Sequence, residues 1–181
     1  MTTLVPVFDL DGTLLDSDEA LVVPFLRLGV PREEIGFGEP VAEACARLGV
    51  QLDAYVDAYD PATAHPFPGV DELVAHLGRW AVCSNKHPRA AKADLARWGW
   101  APTVALFSDA FDWGQKRLAP VFDALGVLGT GVLYVGDSEH DRATAAEAGC
   151  AFALAGWNPR AEPSPGDLVL AEPADVLEHL G

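Results

Sequence analysis

The sequence is poor in cysteine and lacks a long hydrophobic run. Its three cysteines, Cys45, Cys83 and Cys150, are far apart and odd in number, so we expect reduced thiols rather than a disulfide framework or a zinc site. The longest nearly apolar stretch, residues 124–136, is interrupted by glycines and falls short of the roughly 20 residues that cross a bilayer. Residues 1–3 carry no basic segment typical of a signal peptide. These absences predict a cytoplasmic protein without a membrane span.

Basic residues are also scarce relative to acidic ones. Twelve Lys and Arg face 27 Asp and Glu, which gives a formal net charge of −15. Such a chain repels nucleic acid and anionic membranes, so we expect neither as a partner. The acidic excess has two interpretations: a solubilising surface, or a cluster that holds a cation. The positions of the acids must decide between them.

What the chain does contain is an alternation of short apolar runs and longer amphipathic stretches. Its 181 residues fit one domain, or one domain with an insertion. Since helices cover both faces of a parallel sheet, its strands are apolar throughout. The pattern therefore predicts an α/β fold, a Rossmann-like parallel sheet with helices on both faces. Strands are predicted at 5–10, 80–83, 104–107, 132–135, 151–154 and 168–170, and helices at 71–77, 88–98, 118–125, 141–148 and 174–180.

Residues 15–67 interrupt this alternation. They predict three helical pieces, at about 19–28, 40–48 and 52–62, and no strand. A Pro-Phe-Pro-Gly segment at 66–69 marks the return to the α/β pattern. We expect a small helical cap inserted after the first strand of a core formed by residues 1–14 and 68–181. Pro6 lacks the N–H donor of a sheet, so we expect regular pairing to begin just after it.

Chemically active residues follow the predicted strands. In open α/β sheets, ligands bind beyond the carboxyl ends of the strands. The first strand is followed by Asp9-Leu10-Asp11-Gly12-Thr13, in which two carboxylates adjoin a turn whose N–H groups can face an anion. Another strand is followed by Asp137, with Asp141 four residues later at the start of a helix.

Two further strands are followed by groups suited to phosphate. Ser84-Asn85-Lys86 places a hydroxyl and an ammonium at a helix N-terminus, and Lys116 follows the next strand. Each feature alone has a structural interpretation: a turn, a helix cap or a solvated lysine. Their common placement at the strand ends of one sheet favours a functional site.

These segments resemble the haloacid dehalogenase superfamily, in its phosphatase branch with a small helical cap (phosphoglycolate phosphatase-like), over essentially the whole chain. Residues 9–13 match the first motif, Asp-x-Asp-Gly-Thr; Ser84 and Lys116 match the second and third; residues 136–141 match the fourth, Gly-Asp-Ser-x-x-Asp. Residues 35–40 resemble the substrate-specificity segment of the cap.

The resemblance implies a Mg²⁺-dependent phosphatase that hydrolyses a small phosphate monoester. Asp9 would be the nucleophile that forms an aspartyl-phosphate, Asp11 the general acid and base, and Lys116 the third catalytic residue. The phosphate would be bound by Ser84, Asn85, Lys116 and the turn N–H groups of Leu10 and Gly12. The Mg²⁺ would be held by Asp9, the Asp11 carbonyl and Asp137, with Asp141 supporting them from further out.

Other functions stay open from the sequence. A capped phosphomutase of the same superfamily would need a polar shuttle on the cap, which residues 15–67 do not obviously supply. A relative that binds a phosphorylated ligand without turnover is disfavoured because Asp9 and Asp11 are both present. A dehalogenase would not need the second carboxylate, Asp11. We expect a small phosphorylated metabolite as the partner, and a monomer or a homodimer.

Overall fold

The computed structural model describes residues 3–37 and 39–181. Its strands are β1 (Val5–Phe8), β2 (Leu15–Asp16), β3 (His65–Pro66), β4 (Ala81–Cys83), β5 (Val104–Leu106), β6 (Val132–Gly136), β7 (Ala151–Ala155) and β8 (Leu168–Leu170). Its α-helices are α1 (Asp18–Arg27), α2 (Val41–Arg47), α3 (Leu52–Ala58), α4 (Val70–His76), α5 (Pro88–Trp98), α6 (Ala119–Leu125), α7 (Glu139–Ala148) and α8 (Asp175–Glu178). Met1, Thr2 and Gly38 lie outside the described residues. The predictions made for residues 1–3 and 35–40 therefore cannot be compared with the structure at those three positions.

Six of the strands form one parallel sheet in the order β5-β4-β1-β6-β7-β8. The chain builds outwards from β1 on one side through β4 and β5, and on the other through β6, β7 and β8. The order therefore reverses at β1, and the carboxyl end of β1 lies at the point where open α/β sheets bind ligands. The predicted α/β class and the Rossmann-like parallel sheet are confirmed.

Side chains alternate along β1 and feed two cores on opposite faces of the sheet. Phe8 belongs to a buried cluster on one face, whereas Val5 and Val7 belong to a second cluster on the other. This alternation follows from the two-residue period of a strand, and burial on both faces explains the continuous apolar run. None of the helices in the described residues is long and apolar enough to cross a bilayer.

Pro6 lies inside β1 without breaking the sheet. The Asp9 N–H donates to the Val135 carbonyl on β6, so by alternation position 6 faces β4. Pairing between β1 and β4 begins at Val7 with Ala81. The missing donor of Pro6 therefore falls before the β1–β4 ladder starts. Pairing with β6 already begins at Val5, so the expectation that regular pairing begins after Pro6 holds only on the β4 side.

The helical insertion follows β1 and has a buried apolar cluster of its own. That cluster comprises Phe25, Val30, Ala44, Cys45, Tyr55 and Val56. The third helix ends at Ala58 rather than at 62, because Pro61 disfavours helical backbone at the residue before it. The expectation of no strand in this segment is wrong, since β2 and β3 pair antiparallel where the insertion leaves and rejoins the core. Two-residue strands are too short to show an alternating pattern.

Candidate functional site

A cavity of about 250 Å³ lies between the carboxyl ends of the central strands and the helical insertion. Most of the predicted site residues line it: Asp9, Asp11, Gly12, Ser84, Asn85, Lys116 and Asp137. Two others do not, because Leu10 and Asp141 are fully buried behind this surface. The structure thus brings residues from four separate strand ends to one place.

The turn after β1 requires glycine at position 12. Gly12 has a φ of +79°, and a side chain there would overlap the carboxylate of Asp137. The Gly12 N–H donates to the Leu15 carbonyl at 2.8 Å, and phosphate binding by this N–H stays a prediction. Glycine is needed here to close the turn against Asp137.

Asn158 fixes the same turn from the loop after β7, and sequence reasoning missed it. Its side-chain amide donates to the Gly12 carbonyl at 2.8 Å and to Asp137 Oδ2 at 3.0 Å. The indole of Trp157 donates to the Thr13 carbonyl at 2.8 Å. No motif marks these residues; only their position after a predicted strand could have indicated the contact.

Asp9 is a buried carboxylate that is held in a crowded acidic environment. Its Oδ1 lies 2.8 Å from the ammonium of Lys116. Burial raises the pKa of Asp9 to about 8, with Lys116 opposing the shift and with Asp141 and Asp137 adding to it. The charge of Lys116 alone therefore does not restore the ordinary pKa of Asp9, and further positive charge would favour the ionised form of Asp9.

Lys116 and Asp141 form the buried support for Asp9. Lys116 lies 2.6 Å from Asp141 Oδ1. Asp141 also accepts hydrogen bonds from the Tyr134 hydroxyl at 2.9 Å and from the N–H and hydroxyl of Ser138 at 3.1 and 2.5 Å. Burial alone would raise the pKa of Asp141, but Lys116 and these donors hold it below its usual value.

Local sequence explains where Asp141 lies. Ser138 is the N-cap of α7 and Asp141 is its third helical residue, and each side chain bonds the backbone N–H of the other. This reciprocal capping box starts the helix. It also turns the Asp141 carboxylate towards Lys116.

Three carboxylates are close enough to share a cation. Oxygens of Asp9, Asp137 and Asp141 lie within 4.8 Å of one another. Burial raises the pKa of Asp137 to about 6, and Asp141 adds to the shift. Carboxylate oxygens are the ligands that Mg²⁺ prefers, and a divalent cation would relieve this repulsion. The donor set therefore fits the predicted metal, and Asp9 and Asp137 are less engaged by hydrogen bonds than Asp141.

Asp11 is held by Lys86, an ion pair that the sequence did not predict. Lys86 Nζ lies 2.6 Å from Asp11 Oδ1 and 2.8 Å from Asp94 Oδ2. The Ser17 hydroxyl donates to the same Asp11 Oδ1 at 2.6 Å. Both contacts fall on Oδ1, so the described residues leave Oδ2 of Asp11 available for proton transfer.

Asp94 anchors this lysine from the buried face of α5. The Tyr59 hydroxyl, at the end of α3, donates to both Asp94 oxygens at 3.0 and 2.9 Å. Burial alone would lower the pKa of Lys86, but Asp11, Tyr59 and Asp94 hold it well above its usual value. Asp94 shares the buried face of α5 with Ala90 and Ala91. This position could have predicted a buried cationic partner, because unpaired charges are rarely buried.

Asn85 has a structural contact that differs from its predicted role. Its side-chain amide donates to Gln115 Oε1 at 3.1 Å, and its oxygen accepts the Lys116 N–H at 2.7 Å. Its side chain therefore positions the segment that carries Lys116, and phosphate binding by Asn85 stays a prediction. Ser84 is buried at the end of β4 and borders the cavity.

The comparison with known families agrees with this geometry. The family model described as haloacid dehalogenase-like hydrolase matches residues 7–155, well over half of the chain. The chain belongs to the haloacid dehalogenase-like hydrolase family. The resemblance stated from the four motifs is confirmed, and so is the prediction of a hydrolase.

Relatives of this haloacid dehalogenase-like hydrolase extend over most of its length. The phosphoglycolate phosphatase of Cereibacter sphaeroides is 34% identical, and the alignment covers 82% of this chain and 83% of the relative. That of Xanthomonas campestris is 27% identical, covering 94% and 90%. Among solved structures, a hydrolase from Pseudomonas syringae has a TM-score of 0.76 at 20% identity, covering 98% and 97%. A HAD-superfamily hydrolase from Geobacter sulfurreducens has a TM-score of 0.71 at 19% identity, covering 99% and 97%. These two structures show that the fold is shared.

Proposed function

We propose that this hydrolase is a Mg²⁺-dependent phosphatase that acts on a small phosphate monoester through an aspartyl-phosphate on Asp9. The observation that carries the proposal is the meeting of Asp9, Lys116 and Asp137 at the cavity floor, beside an Asp11 held by Lys86. The phosphoglycolate phosphatases among its relatives support a phosphatase activity.

The first step uses Asp9 as nucleophile and Asp11 as acid. An oxygen of Asp9 attacks phosphorus in line, and the bond between phosphorus and the leaving alcohol breaks. The proton on Asp11 passes to the leaving oxygen. In the second step Asp11 takes a proton from water, whose oxygen attacks phosphorus and releases inorganic phosphate and Asp9. Because the contacts to Asp11 fall on Oδ1, its other oxygen can carry the proton in both directions.

Positive charge must hold the phosphoryl oxygens despite the acidic surface of the protein. Burial would lower the pKa of Lys116, but Asp141 and Asp9 hold it above its usual value, so this lysine is charged at neutral pH. The hydroxyl of Ser84 adds a donor at the same edge. Mg²⁺ held by Asp9, Asp137 and the Asp11 carbonyl would neutralise phosphoryl charge.

Replacing Asp11 by asparagine is expected to impair substrates with poor leaving groups most. The variant cannot donate a proton, so we expect kcat/KM on ethyl phosphate, which reports the first step, to fall by about 10²–10⁴-fold. The loss of kcat/KM on 4-nitrophenyl phosphate should be smaller, because nitrophenolate leaves without protonation. Initial rates at low concentrations of both esters, in saturating Mg²⁺, give the comparison. Asp16→Asn, an exposed aspartate in β2, is the control; equal losses of kcat/KM on both esters would contradict the acid role.

Mg²⁺ is expected to stabilise the folded chain. At 100 times its Kd a ligand adds about 2.7 kcal/mol, which at this chain length raises Tm by roughly 5–11 °C. Thermal melts with MgCl₂ or with EDTA measure the shift. Asp137→Asn should melt no lower than the natural chain in EDTA, because it removes a carboxylate whose pKa burial raises to about 6, and it should lose the Mg²⁺ response. A full response in Asp137→Asn would place the metal elsewhere.

A further inference from the structure

The wall of the cavity formed by the helical insertion is largely apolar. The side chains on that wall include Leu21, Phe25, Ile35, Phe37, Val41 and Ala44. The phosphoryl-binding groups all lie on the opposite side, at the strand ends. A phosphate monoester bound at Asp9 would therefore direct its leaving group towards this apolar wall, where burial of apolar surface is favourable.

The same wall carries no cationic side chain. All twelve Lys and Arg residues fall within the described residues, and of these only Lys86 and Lys116 line the cavity. The three arginines of the insertion are engaged elsewhere: Arg27 donates to the Ala58 carbonyl, Arg32 pairs with Glu19, and Arg47 pairs with Glu39. A carboxylate on the leaving group would meet no guanidinium or ammonium from the insertion.

The two lysines that do line the cavity are already shared between carboxylates. Lys86 bridges Asp11 and Asp94, and Lys116 bridges Asp9 and Asp141. Lys116 faces the phosphoryl site. A substrate carboxylate could gain Lys86 only by competing with two buried acids, which would leave one of them uncompensated.

Two acids of the insertion also border the cavity. Asp18 lies 2.8 Å from Arg160, and Glu39 pairs with Arg47. Because each acid already has its arginine, neither calls for a cationic substrate.

We infer that the leaving group of the substrate is an uncharged, largely apolar alcohol, and not a carboxylate-bearing one such as glycolate. This inference rests on the proposed phosphatase function and narrows its substrate class to alkyl or aryl phosphates. It predicts a substrate other than phosphoglycolate, which the names of its phosphoglycolate phosphatase relatives would suggest.

A matched pair of esters tests the inference directly. Phosphoglycolate and phosphoglycolamide differ in the charge of the leaving group and hardly in its size. His87 and His140 also line the cavity, and burial lowers the pKa of both. At pH 8, where both are therefore uncharged, we expect kcat/KM for the amide to exceed that for phosphoglycolate by at least about tenfold. Along ethyl, propyl and butyl phosphate, kcat/KM should rise roughly three- to fourfold per methylene until the cavity is filled.

Two variants and the possible outcomes complete the test. Val41→Lys places an ammonium on the apolar wall and should raise kcat/KM for phosphoglycolate relative to butyl phosphate. In Arg47→Ala, kcat/KM should still be higher for phosphoglycolamide than for phosphoglycolate. Preference of the natural chain for phosphoglycolate, or selective loss of phosphoglycolate turnover in Arg47→Ala, would overturn the inference and leave the phosphatase standing. Hydrolysis of none of the esters in Mg²⁺ would overturn the proposed function together with the inference.

Discussion

Replacing Asp9 by asparagine is expected to lower kcat by at least about 10⁴-fold, the order of loss seen when a covalent nucleophile is removed. A neutral amide oxygen cannot form the acyl-phosphate. The fold should survive, because the side chain keeps its shape and the buried site loses a carboxylate whose pKa burial raises to about 8. Release of phosphate from 4-nitrophenyl phosphate in saturating Mg²⁺ measures the rate. Mass spectrometry of the acid-quenched natural chain should show a phosphoryl adduct that Asp9→Asn lacks.

The control for this substitution is Asp123→Asn, an exposed aspartate of α6. It removes the same charge from the chain without touching the cavity. We expect its kcat to match that of the natural chain within twofold, as for a surface change that touches no substrate. If Asp9→Asn retained a tenth or more of the activity, or if the adduct mapped to another residue, the covalent mechanism would be wrong.

The sheet could be predicted because each strand carries its own evidence. Residues such as Val5, Val7 and Phe8 are apolar in sequence because helices cover both faces of the sheet. The pairing of β2 with β3 could not be predicted, since Leu15 finds Pro66 only after the insertion has folded back. A local run of apolar residues is enough to predict a buried strand. A two-residue strand has no such run, so the local sequence does not predict it.

The site also contains residues that the local sequence predicts and a contact that it does not. Asp9, Ser84, Lys116 and Asp137 were predictable because each follows a strand, and strand ends of a parallel sheet meet at one edge. The pairing of Lys86 with Asp11 spans 75 residues of sequence, and it depends on how α5 packs against the turn after β1. No local pattern encodes such a contact.

The acidic residues fall into two groups, one on the surface and one crowded closely enough to hold a cation. A buried cluster faces the cavity, where Asp9, Asp137 and Asp141 crowd together. Other acids, such as Asp123, lie on the surface. The net charge of −15 is a property of the surface acids more than of the buried cluster, whereas the chemistry depends on the buried cluster. Mg²⁺ held by these carboxylates, together with Lys116, would offset their charge and allow a small anion to bind.

The buried ion pairs of Lys116 also explain why this lysine should matter for folding. Lys116→Met leaves Asp9 and Asp141 buried without their cation, and breaking a buried ion pair in this way costs about 3–5 kcal/mol. For a chain of this length the expected fall in Tm is roughly 6–20 °C. Thermal melts in EDTA measure it, with Lys92→Met as the control, because Lys92 is exposed on α5. Equal Tm values for Lys116→Met and Lys92→Met would contradict the ion-pair account.

The pH dependence of this loss gives a second, independent check. Burial raises the pKa of Asp9 to about 8 even with Lys116 present, against 3.8 as its ordinary value. A carboxyl whose folded pKa lies above its unfolded value binds more protons in the folded state, so stability falls as pH rises between those two values. Lys116 helps to hold the pKa of Asp141 below its usual value, so removing this lysine raises the folded pKa of Asp141. Asp141 then carries the extra pH dependence, because Asp9 is already protonated in the folded chain over most of the range below pH 8. The difference in Tm between the natural chain and Lys116→Met should therefore widen from pH 5 to pH 8, whereas a loss of packing alone would give a difference that is independent of pH.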